Sequence, residues 1–214
     1  MEKKICCILG AGEYFDEEYI PQKAFIIAAD GGLKQCRKKG LAPDMIIGDF
    51  DSLGYETQGK NVVKLPVIKD DTDTFAAVKA AMEKGFQIFL FYGCTGGRLS
   101  HTVANLQTLN FIAKRGGIGF LVDKDEVASI VCKGIEFDEK ATGFLSVFAF
   151  GGNCIVSENG LKYEIQHCLL PPCTTLGTSN EFIQKKSALT IHEGAALVVF
   201  EKENLKTILT QFID

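Results

Sequence analysis

The stretch Met45-Ile46-Ile47-Gly48-Asp49-Phe50-Asp51-Ser52 shows how this chain is built, because a short apolar run stops abruptly at a glycine and two aspartates. Similar apolar runs, rich in β-branched or aromatic residues and without polar alternation, recur through the first 125 residues. Strands that are buried on both faces have this pattern. The predicted strands cover residues 5–9, 25–29, 45–47, 62–65, 88–92 and 118–122.

Helical patterns lie between several of these runs. Residues 74–84 are rich in alanine and stop at Gly85, and residues 100–115 carry an apolar stripe and stop at Gly116. The stripe consists of Val103, Leu106, Leu109 and Ile112. Glycine commonly follows the last residue of a helix. The alternation of strands and helices predicts an α/β fold in which residues 1–125 form a Rossmann-like domain around a parallel sheet.

The pattern changes after about residue 125, where further apolar runs follow one another without intervening helices. Gly151-Gly152, Asn159-Gly160 and Glu193-Gly194 supply turn signals between the runs. The predicted strands cover residues 127–132, 144–150, 154–156, 161–165, 188–192 and 195–200. Residues 126–214 are therefore predicted to form a small all-β sandwich domain that residues 205–212 close.

Glycines and aspartates follow five of the strands predicted in the first domain. The strings are Gly10-Ala11-Gly12-Glu13, Asp30-Gly31-Gly32, Gly48-Asp49-Phe50-Asp51-Ser52, Lys69-Asp70-Asp71-Thr72-Asp73 and Gly93-Cys94-Thr95-Gly96-Gly97-Arg98. In open α/β sheets, ligands bind beyond the carboxyl ends of the strands. We therefore expect these strings to line one site.

Carboxylates dominate the predicted site. The aspartates are Asp49, Asp51, Asp70, Asp71 and Asp73. Repulsion between like charges would disfavour such a group without a cation, and Mg²⁺ fits best because it takes a few carboxylates and bridges substrate phosphates. Single residues also have a structural explanation, since Asp71 or Thr72 can cap a helix and Asp73 can gain from the helix dipole.

The remaining residues of the site suit phosphate groups. Glycines let the backbone approach phosphates, Arg98 can bind phosphate oxygens with two parallel hydrogen bonds, and Lys69 adds a positive charge beside the acids. With a metal ion these groups predict a phosphoryl-transfer site. The string Gly10-Ala11-Gly12 lacks the third glycine of a dinucleotide-binding fingerprint, and no Walker-type phosphate loop occurs. His101 is the only histidine near this site.

Composition argues against several other classes of protein. The net charge is −4 and lysine and arginine form no patch, so we expect no nucleic-acid partner. The N-terminal residues resemble neither a signal peptide nor a transmembrane segment, so we expect no membrane partner. The eight cysteines include no C-x-x-C pair and several lie inside apolar runs, which favours a reducing cytoplasm.

The chain resembles the thiamine pyrophosphokinases, also called thiamine diphosphokinases. The shared strings are Ala29-Asp30-Gly31-Gly32, Pro43-Asp44 through Gly48-Asp49-Phe50-Asp51-Ser52, Lys69-Asp70-Asp71-Thr72-Asp73 and Gly93-Cys94-Thr95-Gly96-Gly97-Arg98. His101 and Asn105 follow at the family's spacing. In the second domain, Gly177-Thr178-Ser179-Asn180-Glu181 is similar to the family's serine-containing thiamine-binding segment.

The resemblance implies transfer of a pyrophosphoryl group from ATP to the hydroxyl group of thiamine, giving thiamine diphosphate and AMP. It also implies Mg²⁺ as cofactor, ATP as co-substrate and a homodimer with active sites at the subunit interface. Carried over by position, Asp49, Asp51 and Asp73 would hold Mg²⁺, and Thr178 and Ser179 would line the thiamine pocket. The residues implied to bind the nucleotide are Asp30, Gly31, Lys69, Arg98, His101 and Asn105. The candidates for a catalytic role are Lys69, Asp71, Asp73 and Arg98.

The chain departs from the family in two places. Ser100 replaces the family's usual aspartate, and we expect it to cap the following helix instead. The sequence contains no tryptophan, so a ring that stacks on thiamine must belong to phenylalanine or tyrosine, with Phe182 as the candidate.

Several alternatives stay open at the level of sequence. Asp71 and Asp73 are both candidates for a general base, and activation by metal can make a base unnecessary. A metal-dependent phosphohydrolase would use the same aspartates without an acceptor, and a nucleotide-sensing module would bind ATP without chemistry.

Overall fold

The computed structural model describes residues 5–15, 19–48, 61–64 and 70–213. The chain divides into two compact units, Met1–Asp123 and Lys124–Asp214. No helix in the described part of the chain is long and apolar enough to cross a membrane.

In the part of the first unit that the structure describes, six parallel strands form a sheet. They are β1 (Ile5–Leu9), β2 (Phe25–Ala29), β3 (Met45–Gly48), β4 (Val62–Lys64), β5 (Ile88–Tyr92) and β6 (Ile118–Val122). Their order is β6-β5-β1-β2-β3-β4. The chain therefore proceeds from β1 towards one edge and later from β5 towards the other. The neighbouring strands β1 and β5 form the topological switch point at which α/β sheets bind ligands.

The burial of these strands agrees with the sequence pattern except at one edge. Every residue of β1, β5 and β6 is buried, as expected for strands that are covered on both faces. Strand β4 is different, because Val63 is 39% exposed and Lys64 is exposed as well. The prediction that this run is buried on both faces is therefore wrong, since among the described strands β4 ends the order of the sheet.

The described residues of the first unit contain three helices. They are α1 (Gly32–Lys38), α2 (Asp73–Glu83) and α3 (Leu99–Ala113). Thr72 caps the N-terminus of α2, because its hydroxyl oxygen accepts a hydrogen bond from the backbone N–H of Phe75 over 3.2 Å. Helix α3 buries Leu109 and Ile112, but Val103 is 48% exposed, so the predicted apolar stripe is wrong at that position.

The second unit contains two antiparallel sheets. The strands are β7 (Glu126–Val131), β8 (Gly134–Phe137), β9 (Phe144–Ala149), β10 (Cys154–Asn159), β11 (Ile165–Leu170), β12 (Asn180–Glu181), β13 (Ser187–Glu193) and β14 (Ala196–Glu201). One sheet has the order β12-β9-β14-β7 and the other has the order β11-β10-β13-β8. A short 3₁₀ turn (Lys202–Asn204) leads into α4 (Leu205–Ile213).

Aromatic side chains join the two sheets of the second unit. The ring of Phe137 on β8 lies 5.6 Å from that of Phe200 on β14, measured between centroids, and 4.8 Å from that of Phe182. All three side chains are buried. The two sheets therefore share one apolar core, to which each aromatic ring contributes a large buried area.

The predicted strand at residues 161–165 is wrong. Leu161 forms only an isolated bridge with Phe182, and pairing with β10 begins at Ile165. Gly160, with φ +73°, starts a turn in which its N–H donates to the carboxylate of Glu164 over 2.8 Å. The turn uses residues that the apolar pattern had assigned to a strand.

Candidate active site

A cleft of about 400 Å³ lies at the carboxyl ends of β1, β2 and β5 in the first unit. The loop after β1 supplies Gly10, Ala11 and Gly12, and the starts of α2 and α3 supply further parts of the wall. The cleft therefore lies at the switch point of the sheet, where the chain leaves β1 and β5 in opposite directions.

Gly10 and Gly12 bring the loop after β1 against the loop after β5. The backbone N–H of Gly12 donates to the carbonyl oxygen of Gly93 over 2.7 Å. A Cβ atom on Gly12 would lie 2.3 Å from the carbonyl oxygen of Thr95, and one on Gly10 would lie 2.5 Å from that of Gly93. Only glycine fits at both positions. These glycines thus have a packing role besides the phosphate-binding role that the sequence suggested.

Asp30 lines the cleft from the end of β2. Its φ angle is +46°, a left-handed conformation that costs energy for a residue with a side chain. Its backbone N–H donates to the carbonyl oxygen of Ile47 over 2.8 Å, which helps to hold this conformation. Gly31 does not line the cleft and precedes the first residue of α1. The structure thus brings Asp30, and not Gly31, to the cleft.

Three of the five predicted aspartates can be placed. Asp73, the first residue of α2, lines the cleft. The Asp71 carboxylate instead forms an ion pair with the ammonium group of Lys79, and neither Asp71 nor Asp70 lines the cleft. Asp70 is exposed. Of these three carboxylates, therefore, only Asp73 is in a position to meet a ligand there.

Asp49, Asp51 and Lys69 lie outside the described residues. Within the described ranges, no three side chains of His, Cys, Asp or Glu are grouped so that they could hold a metal ion. The carboxylate of Asp73 is a hard oxygen ligand of the kind that Mg²⁺ prefers. The described part of the site therefore contains one of the three predicted ligands, Asp73, and its carboxylate oxygens are of the kind that bind Mg²⁺.

Arg98 and His101 stand at the start of α3 and both line the cleft. A guanidinium nitrogen of Arg98 contacts Nε2 of the His101 ring, and both residues are exposed. Arg98 occupies the capping position of α3 and makes no capping bond through its side chain. Ser100 is the second residue of the helix, so its predicted role as the cap is wrong.

Asn105 connects α3 to the end of β5. Its side chain is 5% exposed, and its amide nitrogen donates to the carbonyl oxygen of Cys94 over 2.7 Å. Burial raises the pKa of the Cys94 thiol to about 12, against smaller opposing effects of hydrogen bonds with Gly10 and Thr74. Cys94 is therefore a neutral thiol at physiological pH, which suits a packing role better than a nucleophilic one.

The structure adds threonines that the sequence analysis did not single out. Thr74, Thr95 and Thr102 line the cleft, and the hydroxyl oxygen of Thr95 is buried without a hydrogen-bond partner among the described residues. Helical spacing could have identified Thr102. It lies four residues after Arg98, and Asn105 lies three residues further on, so all three share one face of α3.

Thr178 and Ser179 lie in the second unit, on an exposed segment before β12. Ser179 has a φ angle of +58°, and its backbone N–H donates to the hydroxyl of Ser146 over 3.0 Å. Phe182 is only 7% exposed and packs on Phe137, so the candidate for stacking on thiamine belongs to the core instead.

A cleft at the switch point of a parallel sheet, with a carboxylate and an arginine at helix N-termini, is typical of α/β enzymes that handle phosphates. Comparison with known proteins identifies the family within this class of enzymes. Residues 17–118 match the family model "Thiamin pyrophosphokinase, catalytic domain", and residues 134–198 match "Thiamin pyrophosphokinase, vitamin B1 binding domain". The two matches together span most of the chain, which therefore belongs to the thiamin pyrophosphokinase family.

Individual relatives agree with the family models. The chain is 27% identical over 191 residues to thiamine pyrophosphokinase from Bacillus subtilis, covering 85% of this chain and 89% of that one. It is 28% identical over 187 residues to thiamin pyrophosphokinase 1 from Caenorhabditis elegans, covering 76% of each chain. The crystal structure of the Bacillus subtilis protein superposes with a TM-score of 0.80 at 24% identity, covering 93% of this chain and 99% of that chain. At this identity the superposition shows a common fold.

Proposed function

We infer that this chain is a thiamine diphosphokinase, which transfers the pyrophosphoryl group of ATP to the hydroxyl group of thiamine. The thiamine oxygen forms a bond to the β-phosphorus of ATP and loses its proton. The bond from that phosphorus to the oxygen of the α-phosphate breaks, so that AMP leaves and thiamine diphosphate forms. The observation that carries this inference is that catalytic and vitamin B1-binding family matches follow in order on one chain, the first over the unit with the cleft.

Each of the two units would bind one of the two substrates. We propose that residues 1–125 form a Rossmann-like domain that binds ATP and that residues 126–214 form a β-sandwich that binds thiamine. The cleft at the switch point of the parallel sheet supports the first assignment. The core shared by two antiparallel sheets supports the sandwich, and the match to the vitamin B1 binding domain supports its role in thiamine binding.

Arg98 and His101 are proposed to bind the phosphates of ATP. Both line the cleft at the N-terminus of α3, where the positive end of the helix dipole favours an anion. Asp30, held in a left-handed conformation at the cleft, is proposed to bind another part of the nucleotide. Asn105 is proposed to orient the wall through Cys94, and Lys69 to add a second positive charge.

Asp49, Asp51 and Asp73 are proposed to hold Mg²⁺. When bound, this ion would neutralise charge on the phosphates and favour the alkoxide form of the thiamine oxygen. A general base, where one is needed, is better assigned to Asp73 than to Asp71. Asp73 lines the cleft, whereas the Asp71 carboxylate is engaged by Lys79.

Thr178 and Ser179 are proposed to line the thiamine pocket. Two aromatic side chains near this segment are exposed and can replace Phe182 as stacking partners: Tyr163, which is 63% exposed, and Phe144, which is 50% exposed and pairs with Glu181. We further propose a homodimer with active sites at the subunit interface and a cytoplasmic location, both of which the family resemblance implies.

Product analysis tests the function directly. The purified chain is incubated with Mg²⁺ and ATP, with and without thiamine, and the nucleotide products are separated. We expect AMP and thiamine diphosphate in equal amounts when thiamine is present, and neither product when it is absent. Formation of ADP, or release of phosphate without thiamine, would contradict the proposal and favour a kinase of another type or a phosphohydrolase.

A further inference from the structure

Glu158 is a buried carboxylate in the core of the second unit. It lies on β10 with 2% of its surface exposed, and burial raises its pKa, against the smaller effect of a hydrogen bond from Asn180. One carboxylate oxygen accepts from the amide nitrogen of Asn180 over 2.6 Å, and the other is buried without a partner among the described residues. An apolar residue would occupy such a place at a lower desolvation cost. Packing alone therefore does not explain why a carboxylate occupies this position.

The side chain of Asn180, the partner of Glu158, forms all four of the hydrogen bonds that it can make. The amide nitrogen of Asn180 donates to Glu158 and, over 2.7 Å, to the carbonyl oxygen of Tyr163. Its oxygen accepts from the backbone N–H groups of Tyr163, over 3.0 Å, and of Glu181, over 2.9 Å. An asparagine side chain can make two bonds as donor and two as acceptor. Because Glu158 offers only acceptor atoms when ionised, it favours the orientation in which the amide nitrogen points towards it.

Asn180 is the fourth residue of the segment 177–181, which also carries Thr178 and Ser179. On its other side the segment is held by β9, since the N–H of Val147 donates to the carbonyl oxygen of Gly177 over 2.8 Å. A Cβ atom on Gly177 would lie 2.1 Å from the carbonyl oxygen of Val147, so the segment lies directly against the strand. The segment is thus fixed to β9 at both ends, because Asn180 and Glu181 also pair with that strand, and the buried contact with Glu158 adds a further anchor at Asn180.

The conformation that these anchors hold is an unfavourable one. Ser179 has a φ angle of +58°, which costs a non-glycine residue energy and persists only where the surroundings hold it. Ser179 and Thr178 are both exposed, while Asn180 is buried. The anchors therefore hold two exposed residues that carry hydroxyl groups, and the hydroxyl of Thr178 donates to the carbonyl oxygen of Thr175 over 2.8 Å.

We propose that Glu158 is a positioning residue for thiamine: through Asn180 it holds Thr178 and Ser179 in the conformation that receives the substrate. The inference rests on the proposed function, because it assigns a role to the segment only if the chain binds thiamine. It predicts that Glu158 acts on the thiamine step and not on the ATP step, although the side chain itself is buried.

Two variants of Glu158 and one control separate this role from a structural one. Glu158→Met fills the space but removes the oxygen atom that accepts from the amide of Asn180. Glu158→Gln keeps a side-chain oxygen that can accept this hydrogen bond. Asn204→Ala removes another buried amide of the same unit, whose two bonds, of 3.0 and 3.2 Å, join it to the backbone of Thr142 and not to residues 177–181. For each variant the KM values for thiamine and ATP, kcat and the urea midpoint of unfolding are measured.

We expect Glu158→Met to raise the KM for thiamine about tenfold, the effect of losing one hydrogen bond to a charged group, with the KM for ATP unchanged. Glu158→Gln should restore the KM for thiamine to within about threefold of wild type, because an amide oxygen can still accept from Asn180. Asn204→Ala should lower the urea midpoint and leave both KM values unchanged.

The possible outcomes are distinct. If wild type turns over thiamine but Glu158→Met lowers stability with no change in the KM for thiamine, or raises both KM values together, Glu158 is only structural and the inference is wrong. Should Glu158→Met not fold, Glu158→Asp makes the same test, because it withdraws the acceptor by one methylene group. A wild-type chain without thiamine-dependent formation of AMP overturns the proposed function itself.

Discussion

The side-chain amide of Asn105 donates a hydrogen bond over 2.7 Å to the backbone carbonyl of Cys94. Asn105 lies on α3, the helix whose start carries Arg98 and His101, and Cys94 lies on the loop that leaves β5. Both partners are buried and both line the cleft. One hydrogen bond thus joins the two parts of the wall on which phosphate binding is proposed to depend.

Removing this bond should affect both stability and nucleotide binding. In Asn105→Ala the buried carbonyl oxygen of Cys94 loses its side-chain partner, and we expect the free energy of unfolding to fall by about 1–3 kcal/mol. The KM for ATP should rise at the same time, because α3 is no longer fixed to the strand end. Urea denaturation and initial rates measure the two effects.

Asn110→Ala is the matched control for that prediction. Asn110 lies on the same helix, and its buried side-chain oxygen has no hydrogen-bond partner among the described residues. Removing it should cost less stability and leave the KM for ATP unchanged. Equal losses in the two variants would show that the bond to Cys94 contributes nothing specific.

Asp73 and Asp71 should differ strongly although they are two residues apart. Asp73→Asn removes a carboxylate from the cleft, and we expect kcat to fall by at least about a hundredfold with a higher requirement for Mg²⁺. Asp71→Asn removes only an ion pair with Lys79 in which both side chains are partly exposed, and such pairs contribute about 0–1 kcal/mol. Its kcat should stay within about threefold of wild type.

Initial rates as a function of Mg²⁺ concentration test this pair of variants. Both should fold, because the loss of the Asp73 charge in the first turn of α2 costs only about 0.3–1 kcal/mol and the loss of the partly exposed Asp71 ion pair about 0–1 kcal/mol. A large loss of kcat in Asp71→Asn, with a small one in Asp73→Asn, would reverse the assignment of the general base and of the metal ligand.

Arg98 should not tolerate replacement by lysine. The planar guanidinium group can bind two phosphate oxygens at once, whereas an ammonium group acts as a point charge. We expect Arg98→Lys to lower kcat/KM for ATP by about ten- to a hundredfold, since roughly one charge-assisted hydrogen bond is lost. Arg115→Lys is the control, because Arg115 lies just past the other end of α3, where it packs on the ring of Phe111. If both substitutions lower kcat/KM equally, a phosphate contact by Arg98 is not supported.

The cleft was predictable because its signals are local. An apolar run that is followed by glycine or aspartate indicates both the end of the strand and the loop that can bind a ligand. Leu9, Ala29 and Tyr92 each end a strand as the sequence indicated. Parallel strands then place their carboxyl ends on one edge without further information. The sequence pattern therefore predicts the edge of the sheet at which the cleft lies.

Features that depend on tertiary contacts were not predictable in this way. Phe182 looks like a free aromatic residue beside the thiamine segment, but it lies in the core because Phe137 from another strand covers it. Val103 fits the apolar stripe of α3 by period, yet only part of that stripe is covered. Asp71 does not line the cleft and forms an ion pair with Lys79, which lies eight residues away on α2. In each case the outcome depends on which neighbours the folded chain supplies, and a periodic pattern does not reveal these.

Buried thiols should make the protein sensitive to alkali. Burial raises the pKa of Cys94 to about 12 from an ordinary value of 9.0, so between these limits the folded chain retains a proton that the unfolded chain releases. The contribution of this thiol to the free energy of unfolding is therefore complete below pH 9. As the pH rises towards 12, the free energy of unfolding falls by about 1.4 kcal/mol per pH unit for each such thiol. In Cys94→Ala this contribution disappears, and the slope of the unfolding free energy against pH should become shallower by that amount.

Urea denaturation at several pH values above 9 measures this slope. The comparison is insensitive to the cavity that the substitution leaves, because a cavity lowers stability at every pH by a similar amount and leaves the slope unchanged. Cys7→Ala provides a parallel test, since burial also raises the pKa of Cys7 to about 12. Both variants should lose the same share of the slope. An unchanged slope in Cys94→Ala would mean that this thiol ionises as readily in the folded chain as in the unfolded one, and hence that water reaches it through the cleft.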